Sequence, residues 1–431
     1  MVEQKETRKA KSRIKGILSS VGLVTFSTIF SLLAAEIALR LTVSNLSLPF
    51  LIYLHPNLKE RLPSVREKIK GGVPWANVRK EDPDTGWTVE PNLLFPYTNE
   101  DGESGSRKSS SEGFFTPDFP KKETEQIITI GDSFLSIYYV DKPIAWVIRD
   151  KLKTPVYNLA VGGWGPNSYR AAYNKFAQGR NSKLVVVFSF NNDITDVNNW
   201  NQWQDSNPDI SFMDWITNFS LLSQKQVNSG NNWFDQQSIL WNLTKFALHQ
   251  FSLQSNNGLT TTLPKAETLS NSTGEVEFNF NLKQGYKFMV LNPDDFVSGG
   301  DYWKYMDAYF QSLDKLHKNI KKQGSQMLLV WIPSKERVYL PLASEELFKK
   351  YVTNTSGEID GIEKSLQRYT QEQGIPFLDL TPALIKEADN GKKLYFTTDG
   401  HLNKLGNQVV GELSSEAIID LLDNEENNSS N

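Results

Sequence analysis

The sequence predicts an α/β protein: a three-layer α/β/α sandwich around a five-stranded parallel sheet, with an N-terminal transmembrane helix and a large insertion. Five short runs rich in Val, Ile and Leu alternate with segments whose apolar residues recur at helical spacing. Continuous apolar runs are typical of strands buried on both faces, and their alternation with helices is typical of a parallel sheet covered on both sides. With 431 residues, 39% of them hydrophobic, the chain is long and apolar enough to form such a core.

The N-terminus has the pattern of a membrane anchor. Residues 16–35 carry no charge, and a helix of that length reaches about 30 Å, the thickness of the hydrocarbon core of a bilayer. Basic residues cluster before this stretch and are sparse after it, which places the N-terminus in the cytoplasm and the rest of the chain outside. We therefore expect a basic cytoplasmic tail over 1–15 and a single-pass anchor in the cytoplasmic membrane over 16–38. A cleaved signal peptide is the alternative, but the small-x-small cleavage site is poor and the apolar stretch is long for one.

The exported part is organised around the predicted sheet. Residues 45–125 are rich in Pro, Gly and Ser, which indicates an extended lead-in that packs on the main domain over 126–423. Strands are predicted over 126–131, 155–160, 183–190, 326–333 and 376–380. Helices are predicted near 144–152, 167–179, 236–252, 301–322 and 405–421, and a β-like stretch near 274–290. An insertion over 195–300 interrupts the domain, and the polar tail over 424–431 is expected to be mobile.

The composition excludes several classes of protein. The 46 basic and 50 acidic residues are mixed along the chain, for a formal net charge of -4, so no basic face indicates nucleic-acid binding. The absence of cysteine excludes disulfides, thiolate metal ligands and a cysteine nucleophile. No His, Asp and Glu cluster has the spacing of metal ligands, and no Gly-rich phosphate motif occurs, so neither a metal nor a cofactor is expected. The oligomeric state is left open.

Polar residues and glycines follow four of the predicted strands. They are Gly131-Asp132-Ser133, Gly162-Gly163-Trp164, Asn191-Asn192-Asp193 and, after the fifth strand, Asp399-Gly400-His401. The carboxyl ends of parallel strands meet at one edge of the sheet, where such proteins place their functional residues. We therefore expect these four loops to converge.

These residue types are the ones that acyl transfer requires. A serine hydroxyl must lose its proton as it attacks, so an imidazole has to accept that proton and a carboxylate has to hold the other ring nitrogen. The tetrahedral oxyanion needs fixed donors, which a backbone N–H beside a glycine and the amide of an asparagine can provide. Four matches in this order, each at a strand end, favour this interpretation over four ordinary turns.

The same four segments resemble the four blocks of the SGNH (GDSL-type) hydrolase superfamily, in the family's order. The resemblance covers about 125–200 and 300–420 and implies a flavodoxin-like sheet. It implies that Ser133 is the nucleophile, His401 the general base and later acid, and Asp399 the residue that orients His401.

The resemblance also implies an oxyanion hole. Its donors would be the backbone N–H groups of Ser133 and Gly163 and the side-chain amide of Asn192. In addition, Gly86-Trp87 and the stretch 111–114 are similar to the lead-in of membrane-anchored bacterial members.

Two positions depart from the family's pattern. Phe190 stands where the third block usually has a glycine, which we expect to change loop packing rather than chemistry. Asp399 lies two residues before His401, where the family usually has three. This shorter spacing is similar to the alginate O-acetyltransferase-like branch, which implies carbohydrate O-acetyl chemistry.

Tryptophan and asparagine side chains surround the predicted oxyanion positions in sequence. Trp164, Asn191, Trp200 and Trp203 are candidate substrate-binding residues, because indole faces ringed by amides suit a sugar. The alternative for the tryptophans is that they pack the insertion's own core.

The sequence thus predicts a serine esterase or O-acyltransferase that acts through a Ser133 acyl-enzyme outside the cytoplasmic membrane. Its partner would be an acylated small molecule or, in better agreement with the O-acetyl pattern, a glycan. Water as acceptor makes the protein a hydrolase and a sugar hydroxyl makes it a transferase, and the same residues serve both. The alternatives are a lipase or thioesterase of the same superfamily, and a non-catalytic polysaccharide assembly or binding protein that keeps the fold.

Overall fold

The computed structural model describes most of the chain and divides it into two compact units. The described residues are 2–46, 51, 54, 55, 58, 61, 62, 64, 65, 79–206, 210–213, 215, 216, 232–256, 269–270, 276–281, 287–290, 301–343, 361–397 and 399–429. One unit comprises Met1–Asn77 with Phe219–Leu263, and the other Val78–Asn218 with Pro264–Asn431. This division differs from the predicted one, because the lead-in (45–125) and the insertion (195–300) are each shared between the two units.

The helices and strands are numbered in chain order. The strands are β1 (Arg79–Asp82), β2 (Gly86–Val89), β3 (Leu94–Thr98), β4 (Ser104–Lys108), β5 (Ile127–Gly131), β6 (Val156–Ala160), β7 (Leu184–Ser189), β8 (Leu269–Ser270), β9 (Val276–Asn281), β10 (Lys287–Val290), β11 (Gln326–Trp331) and β12 (Phe377–Asp379). The α-helices are α1 (Val2–Thr42), α2 (Ile144–Leu152), α3 (Pro166–Ala172), α4 (Asn191–Ser206), α5 (Trp233–Gln237), α6 (Ile239–Asn256), α7 (Asp301–Lys322), α8 (Lys335–Tyr339), α9 (Gly361–Gln373), α10 (Thr381–Asp389) and α11 (Lys404–Ser429). A π-helical turn covers Tyr173–Ala177, and 3-10 turns cover Val43–Asn45 and Leu340–Leu342.

The larger unit contains the five-stranded parallel sheet that the sequence predicts. Its strand order is β12-β11-β7-β5-β6, and every neighbouring pair is parallel. Strands β5, β6 and β7 are buried along their whole length, as expected for strands covered on both faces. The predicted α/β class and sheet are therefore confirmed.

Side chains of the sheet alternate between two core layers, because successive strand residues point to opposite faces. Val186 and Phe188 pack with helices α2, α8, α10 and α11 in one layer. Val185 and Val187 pack with helices α3, α4, α7 and α9 in the other. The result is the predicted three-layer α/β/α sandwich.

The part of the lead-in that belongs to this unit forms two antiparallel hairpins, β1–β2 and β3–β4. Trp87, Phe95 and Phe114 are buried in the second core layer. This segment packs on the sandwich, as the sequence indicates, but it does so as paired strands rather than as loops.

Two helix boundaries differ from the predictions. Asn191 begins helix α4 directly after β7, because the Asp193 carboxylate accepts the N–H of Phe190 at 3.2 Å and so caps the helix N-terminus. Residues 195–206 of the predicted insertion therefore belong to helix α4. Helix α11 continues to Ser429, so residues 424–429 of the tail expected to be mobile are helical; Glu425 and Glu426 are good helix formers.

The smaller unit contains the N-terminal helix α1. Within the described residues, one helix is long and apolar enough to cross a membrane, over Ser20–Thr42. Near its end, the Glu36 carboxylate accepts the N–H groups of Ile239 and Leu240 and the hydroxyl of Ser238 at 2.9–3.0 Å. Glu36 thus caps the N-terminus of α6, where negative charge is stabilising.

Candidate active site

Ser133 lies in a tight turn directly after strand β5. Asp132 builds this turn: its side chain accepts the N–H of Phe134 at 3.0 Å and its carbonyl accepts the N–H of Ser136 at 3.0 Å. Asp132 is buried, whereas Ser133 is partly exposed. The turn therefore holds the Ser133 side chain at the carboxyl edge of the sheet, with part of it open to solvent.

His401 and Asp399 lie in a turn before helix α11. The N–H of Phe396 donates to the carbonyl of His401 at 3.1 Å, and a β-bridge joins Tyr395 to Leu402, which closes the turn. Oδ1 of Asp399 accepts the backbone N–H of His401 at 3.0 Å and lies 2.6 Å from its Nδ1. The two-residue spacing lets a single carboxylate oxygen serve both groups, which explains how Asp399 meets His401.

The fold brings Ser133, His401 and Asp399 together. Nε2 of His401 lies 2.7 Å from Oγ of Ser133, although the two residues are 268 positions apart in the chain. Because the carboxylate faces Nδ1, we assign the ring proton to that nitrogen, which leaves the lone pair of Nε2 to accept the Ser133 hydroxyl. A serine, a histidine and an aspartate bonded in this order can pass a proton from the hydroxyl to the ring.

Charges beside the imidazole govern its protonation. Burial lowers the pKa of His401, but the hydrogen bond and charge of Asp399, together with the charge of Asp132, outweigh burial and raise that pKa above its ordinary value. Burial likewise opposes ionisation of Asp399, but its bonds to His401 and Tyr139 hold the pKa of this carboxyl well below its usual range. Asp399 is therefore ionised at neutral pH and can stabilise an imidazolium.

Two further side chains hold the Asp399–His401 turn, and sequence reasoning missed both. The hydroxyl of Tyr139 donates to Oδ2 of Asp399 at 2.7 Å. Lys335 is buried, and its Nζ donates to three backbone carbonyls within residues 396–399 at 3.1–3.4 Å. The position of Lys335 soon after a sheet strand was a usable signal, whereas nothing in the sequence distinguishes Tyr139 from other loop tyrosines.

The second loop places Gly162 against Ser133 and Gly163 against Arg79. A Cβ on Gly162 would lie 3.4 Å from Cβ of Ser133, and a Cβ on Gly163 would lie 3.0 Å from Nη2 of Arg79. Gly163 also has a φ of 78°, which favours glycine. Within the described part of the chain, the N–H groups of Ser133 and Gly163 have no hydrogen-bond partner. Two such donors near the Ser133 hydroxyl are suited to binding an oxyanion.

The third loop differs from expectation, because Asn191 and Asn192 lie in the first turn of α4. Nδ2 of Asn192 donates to Oδ2 of Asp196 at 3.2 Å, and its buried Oδ1 has no partner among the described residues. The Asn192 side chain also hydrogen-bonds Asp132, so the amide that was expected to face the oxyanion bonds to two carboxyl groups. Asn191 is 4% exposed, so the prediction that it contacts substrate is wrong for this conformation.

Phe190 takes the place of the expected glycine and packs against Phe134, which lies beside the histidine. Its ring lies 4.2 Å from that of Phe134, which lies 4.9 Å from the imidazole of His401. The departure from the family's pattern therefore adds aromatic packing next to His401.

The three candidate tryptophans have different environments. Trp164 is fully buried and its indole N–H donates to the carbonyl of Trp87 at 2.9 Å, so the predicted substrate contact is wrong and Trp164 packs the core. Trp200 and Trp203 are partly exposed, and their rings lie 4.8 and 5.3 Å from Phe212. Both line a surface groove that also contains Arg170 and Asn174.

Part of the chain matches the model of a known protein family. Residues 304–428, which include Asp399 and His401, match the family model described as the SGNH hydrolase-like domain of acetyltransferase AlgX. The comparison with curated proteins finds no match.

The solved structures to which the chain is similar include three ester hydrolases. A catalytic mutant of Axe2, an acetylxylan esterase from Geobacillus stearothermophilus, has a TM-score of 0.33 and 11% identity, over 70% of this chain and 96% of that chain. The lipase/acylhydrolase from Enterococcus faecalis has a TM-score of 0.30 and 12% identity, over 68% of this chain and 95% of that chain. A GDSL-like lipase from Bacteroides thetaiotaomicron has a TM-score of 0.31 and 10% identity, over 70% of this chain and 91% of that chain. Over residues 304–428 the chain is similar to the SGNH hydrolase-like domain of acetyltransferase AlgX.

Proposed function

We propose that this chain is a serine esterase or O-acyltransferase that acts on O-acetyl groups of an extracytoplasmic carbohydrate. The observation that carries the proposal is the hydrogen-bonded series from Ser133 through His401 to Asp399, with contacts of 2.7 and 2.6 Å. The match of residues 304–428 to an acetyltransferase domain supports acetyl as the acyl group.

In the first half-reaction, Oγ of Ser133 attacks the acyl carbon while Nε2 of His401 takes the hydroxyl proton. The carbonyl oxygen becomes an oxyanion, which accepts hydrogen bonds from the N–H groups of Ser133 and Gly163. The bond to the leaving alcohol then breaks, and the imidazolium of His401 gives its proton to the departing oxygen. The product of this step is a Ser133 acyl ester and a free hydroxyl.

In the second half-reaction, neutral His401 removes a proton from the acceptor hydroxyl, which attacks the acyl-enzyme. Collapse of the new tetrahedral intermediate expels Oγ of Ser133, which regains its proton from His401. Water as the acceptor releases a carboxylic acid, whereas a sugar hydroxyl yields a new ester. Trp200 and Trp203 remain candidate sugar contacts, because indole faces beside Arg170 and Asn174 suit a polyhydroxyl ligand.

We further propose that the catalytic unit lies outside the cytoplasmic membrane. The apolar stretch of helix α1 is long enough to span a bilayer, and basic residues precede it. Because the sequence has no cysteine, two single-cysteine variants test this topology without background. Ser104→Cys should react with a membrane-impermeant maleimide in intact cells, and Ser12→Cys only after lysis. The reverse pattern would contradict the proposed orientation.

The enzymatic proposal is tested with the full chain in detergent micelles. We expect hydrolysis of 4-nitrophenyl acetate and covalent labelling by a fluorophosphonate probe, both abolished in Ser133→Ala. Ser136→Ala is the matched control, because Ser136 lies in the same turn. Absence of labelling in the wild type, or labelling that survives Ser133→Ala, would overturn the proposal and favour a non-catalytic binding protein.

The acyl group and acceptor are tested separately. Rates on 4-nitrophenyl esters from acetyl to palmitoyl should fall with chain length, whereas a maximum at long chains would indicate a lipase. Mass spectrometry of reactions that contain an oligosaccharide acceptor distinguishes free acetate from an acetylated sugar.

A further inference from the structure

The carbonyl of Gly162 is held by two side chains of the β1–β2 hairpin. Nη2 of Arg79 donates to it at 2.7 Å, and the indole Nε1 of Trp87 donates to it at 3.2 Å. Both donors come from the lead-in, 83 and 75 positions before Gly162 in the chain. A single loop carbonyl with two long-range side-chain donors is held in one orientation.

The orientation of this carbonyl determines the direction of a predicted oxyanion donor. The C=O of Gly162 and the N–H of Gly163 belong to the same peptide group, and in a planar trans peptide they point in opposite directions. The chain contains no cis peptide bond among the described residues. Fixing the Gly162 carbonyl towards Arg79 and Trp87 therefore directs the Gly163 N–H away from them, and that N–H has no partner among the described groups.

The two donors of the hairpin also contact each other. The guanidinium of Arg79 lies over the indole of Trp87, 4.4 Å from the ring centre, and Trp87 is 1% exposed. Burial lowers the pKa of Arg79 to about 10, while the charge of Asp196 opposes this effect, so the guanidinium remains charged at neutral pH. Asp196 in turn accepts the amide of Asn192. Arg79 therefore lies between the glycine loop and the start of helix α4.

We propose that Arg79, supported by Trp87, is a positioning residue that aligns the Gly162–Gly163 peptide so that the Gly163 N–H can bind the oxyanion. The inference rests on the proposed function of Ser133. It assigns the lead-in hairpin a part in the active site: Arg79 acts through the peptide group and does not touch the acyl group.

The test compares three variants of the hairpin with a matched control. Arg79→Met removes the charge and the donors, and Arg79→Lys keeps a charge and a donor. Trp87→Phe keeps an aromatic ring but removes the indole N–H. The control is Arg180→Met, because Arg180 also stacks on an aromatic ring at 4.0 Å and donates to two backbone carbonyls at 2.7 and 2.9 Å, but in contacts outside the Ser133, His401 and Gly163 loops.

The measured quantity is kcat for 4-nitrophenyl acetate per active site, with sites counted from the end point of fluorophosphonate labelling. Loss of one oxyanion donor lowers kcat about 10²-fold, so we expect that decrease in Arg79→Met with KM nearly unchanged. The decrease in kcat should be smaller in Trp87→Phe and intermediate in Arg79→Lys. Arg180→Met should retain the wild-type kcat. The acid limb of the pH profile should not move, because Arg79 does not contact His401.

Wild-type kcat per site in Arg79→Met would overturn the inference, as would an equal decrease in Arg180→Met. Failure of the proposed function is seen separately, as activity that survives Ser133→Ala or as no activity at all. In that case the inference is judged from a crystal structure of full-length Arg79→Met. A rotated Gly162–Gly163 peptide supports it, and an unchanged peptide with φ near the 78° of Gly163 contradicts it.

Discussion

The Tyr139 hydroxyl donates to one oxygen of the Asp399 carboxylate, Oδ2, at 2.7 Å, while the other oxygen, Oδ1, faces His401. The carboxylate is therefore held from both sides, and its rotation about the side-chain bond would break a hydrogen bond to either partner. A charged acceptor makes such bonds stronger than neutral ones. Tyr139 thus fixes the direction in which Asp399 presents Oδ1 to the imidazole.

Tyr139→Phe should lower kcat roughly tenfold, equivalent to about 1.4 kcal/mol, because the carboxylate loses its second anchor. Without the Tyr139 hydroxyl, the charge of Asp399 acts more strongly on His401 and raises the pKa of His401. The acid limb of the pH–rate profile should therefore move to higher pH. Steady-state kinetics across pH measure both effects. Tyr138→Phe is the control, since its ring packs against Phe95 and Phe115. An unchanged kcat in Tyr139→Phe would show that Asp399 needs no such support.

The activity proposed for the wild-type chain should decrease as the pH falls. Only neutral His401 can accept the Ser133 proton, and the neighbouring carboxylates raise the pKa of His401 above its ordinary value of 6.5. The kcat/KM for 4-nitrophenyl acetate should therefore rise with pH through a midpoint above 6.5. A midpoint well below that value would mean that burial outweighs the neighbouring carboxylates in setting the pKa of His401.

Asp399→Asn should lower kcat roughly 10⁴-fold, because an amide cannot hold the same tautomer or stabilise the imidazolium. The residual activity should have its acid limb at lower pH than the wild type, since the opposite charge that raises the pKa of His401 is gone. Kinetics of active-site-titrated enzyme test this. A decrease of less than tenfold would indicate that another acceptor orients the ring.

Lys335→Met should weaken the turn that carries Asp399 and His401. It removes an ammonium that donates to three carbonyls of residues 396–399, and unpaired buried acceptors cost about 1–3 kcal/mol each. We expect a lower free energy of unfolding in urea and a lower kcat. Lys386→Met, at an exposed position, should change neither. Equal stability of both variants would mean that the turn is held without Lys335.

Gly406→Ala should destabilise the start of helix α11. The added Cβ would lie 2.0 Å from the carbonyl oxygen of Leu394 and 2.8 Å from Cδ2 of Leu402, so backbone must shift, and we expect a loss of about 3 kcal/mol. Gly400→Ala is the matched control, because its Cβ would have no neighbour within 4 Å and should change stability by less than about 0.5 kcal/mol. Thermal unfolding of the two variants tests the difference. Similar melting temperatures would contradict the close approach at Gly406.

Elements of the fold could be predicted where a short stretch of sequence carries their pattern, and not where they depend on contacts between side chains. The strands β5, β7 and β11 are continuous apolar runs, so their presence and parallel arrangement followed from the sequence. The start of helix α4 did not, because it depends on the Asp193 cap rather than on an apolar stripe. Trp164 was misjudged for a related reason: a sequence pattern of aromatic and amide residues does not reveal which side chain the core encloses.

By itself, the sequence determined the α/β class, the apolar N-terminal helix, and the candidates Ser133, Asp399 and His401, because each is encoded in a run or motif of a few adjacent residues. Only the tertiary structure decided which groups surround them. Tyr139 reaches Asp399 across 260 positions and Arg79 reaches Gly162 across 83, and contacts over such separations depend on how the packed layers place the loops. The same packing turned Asn191 and Trp164 inward, since a buried environment is a property of the fold and not of the residue.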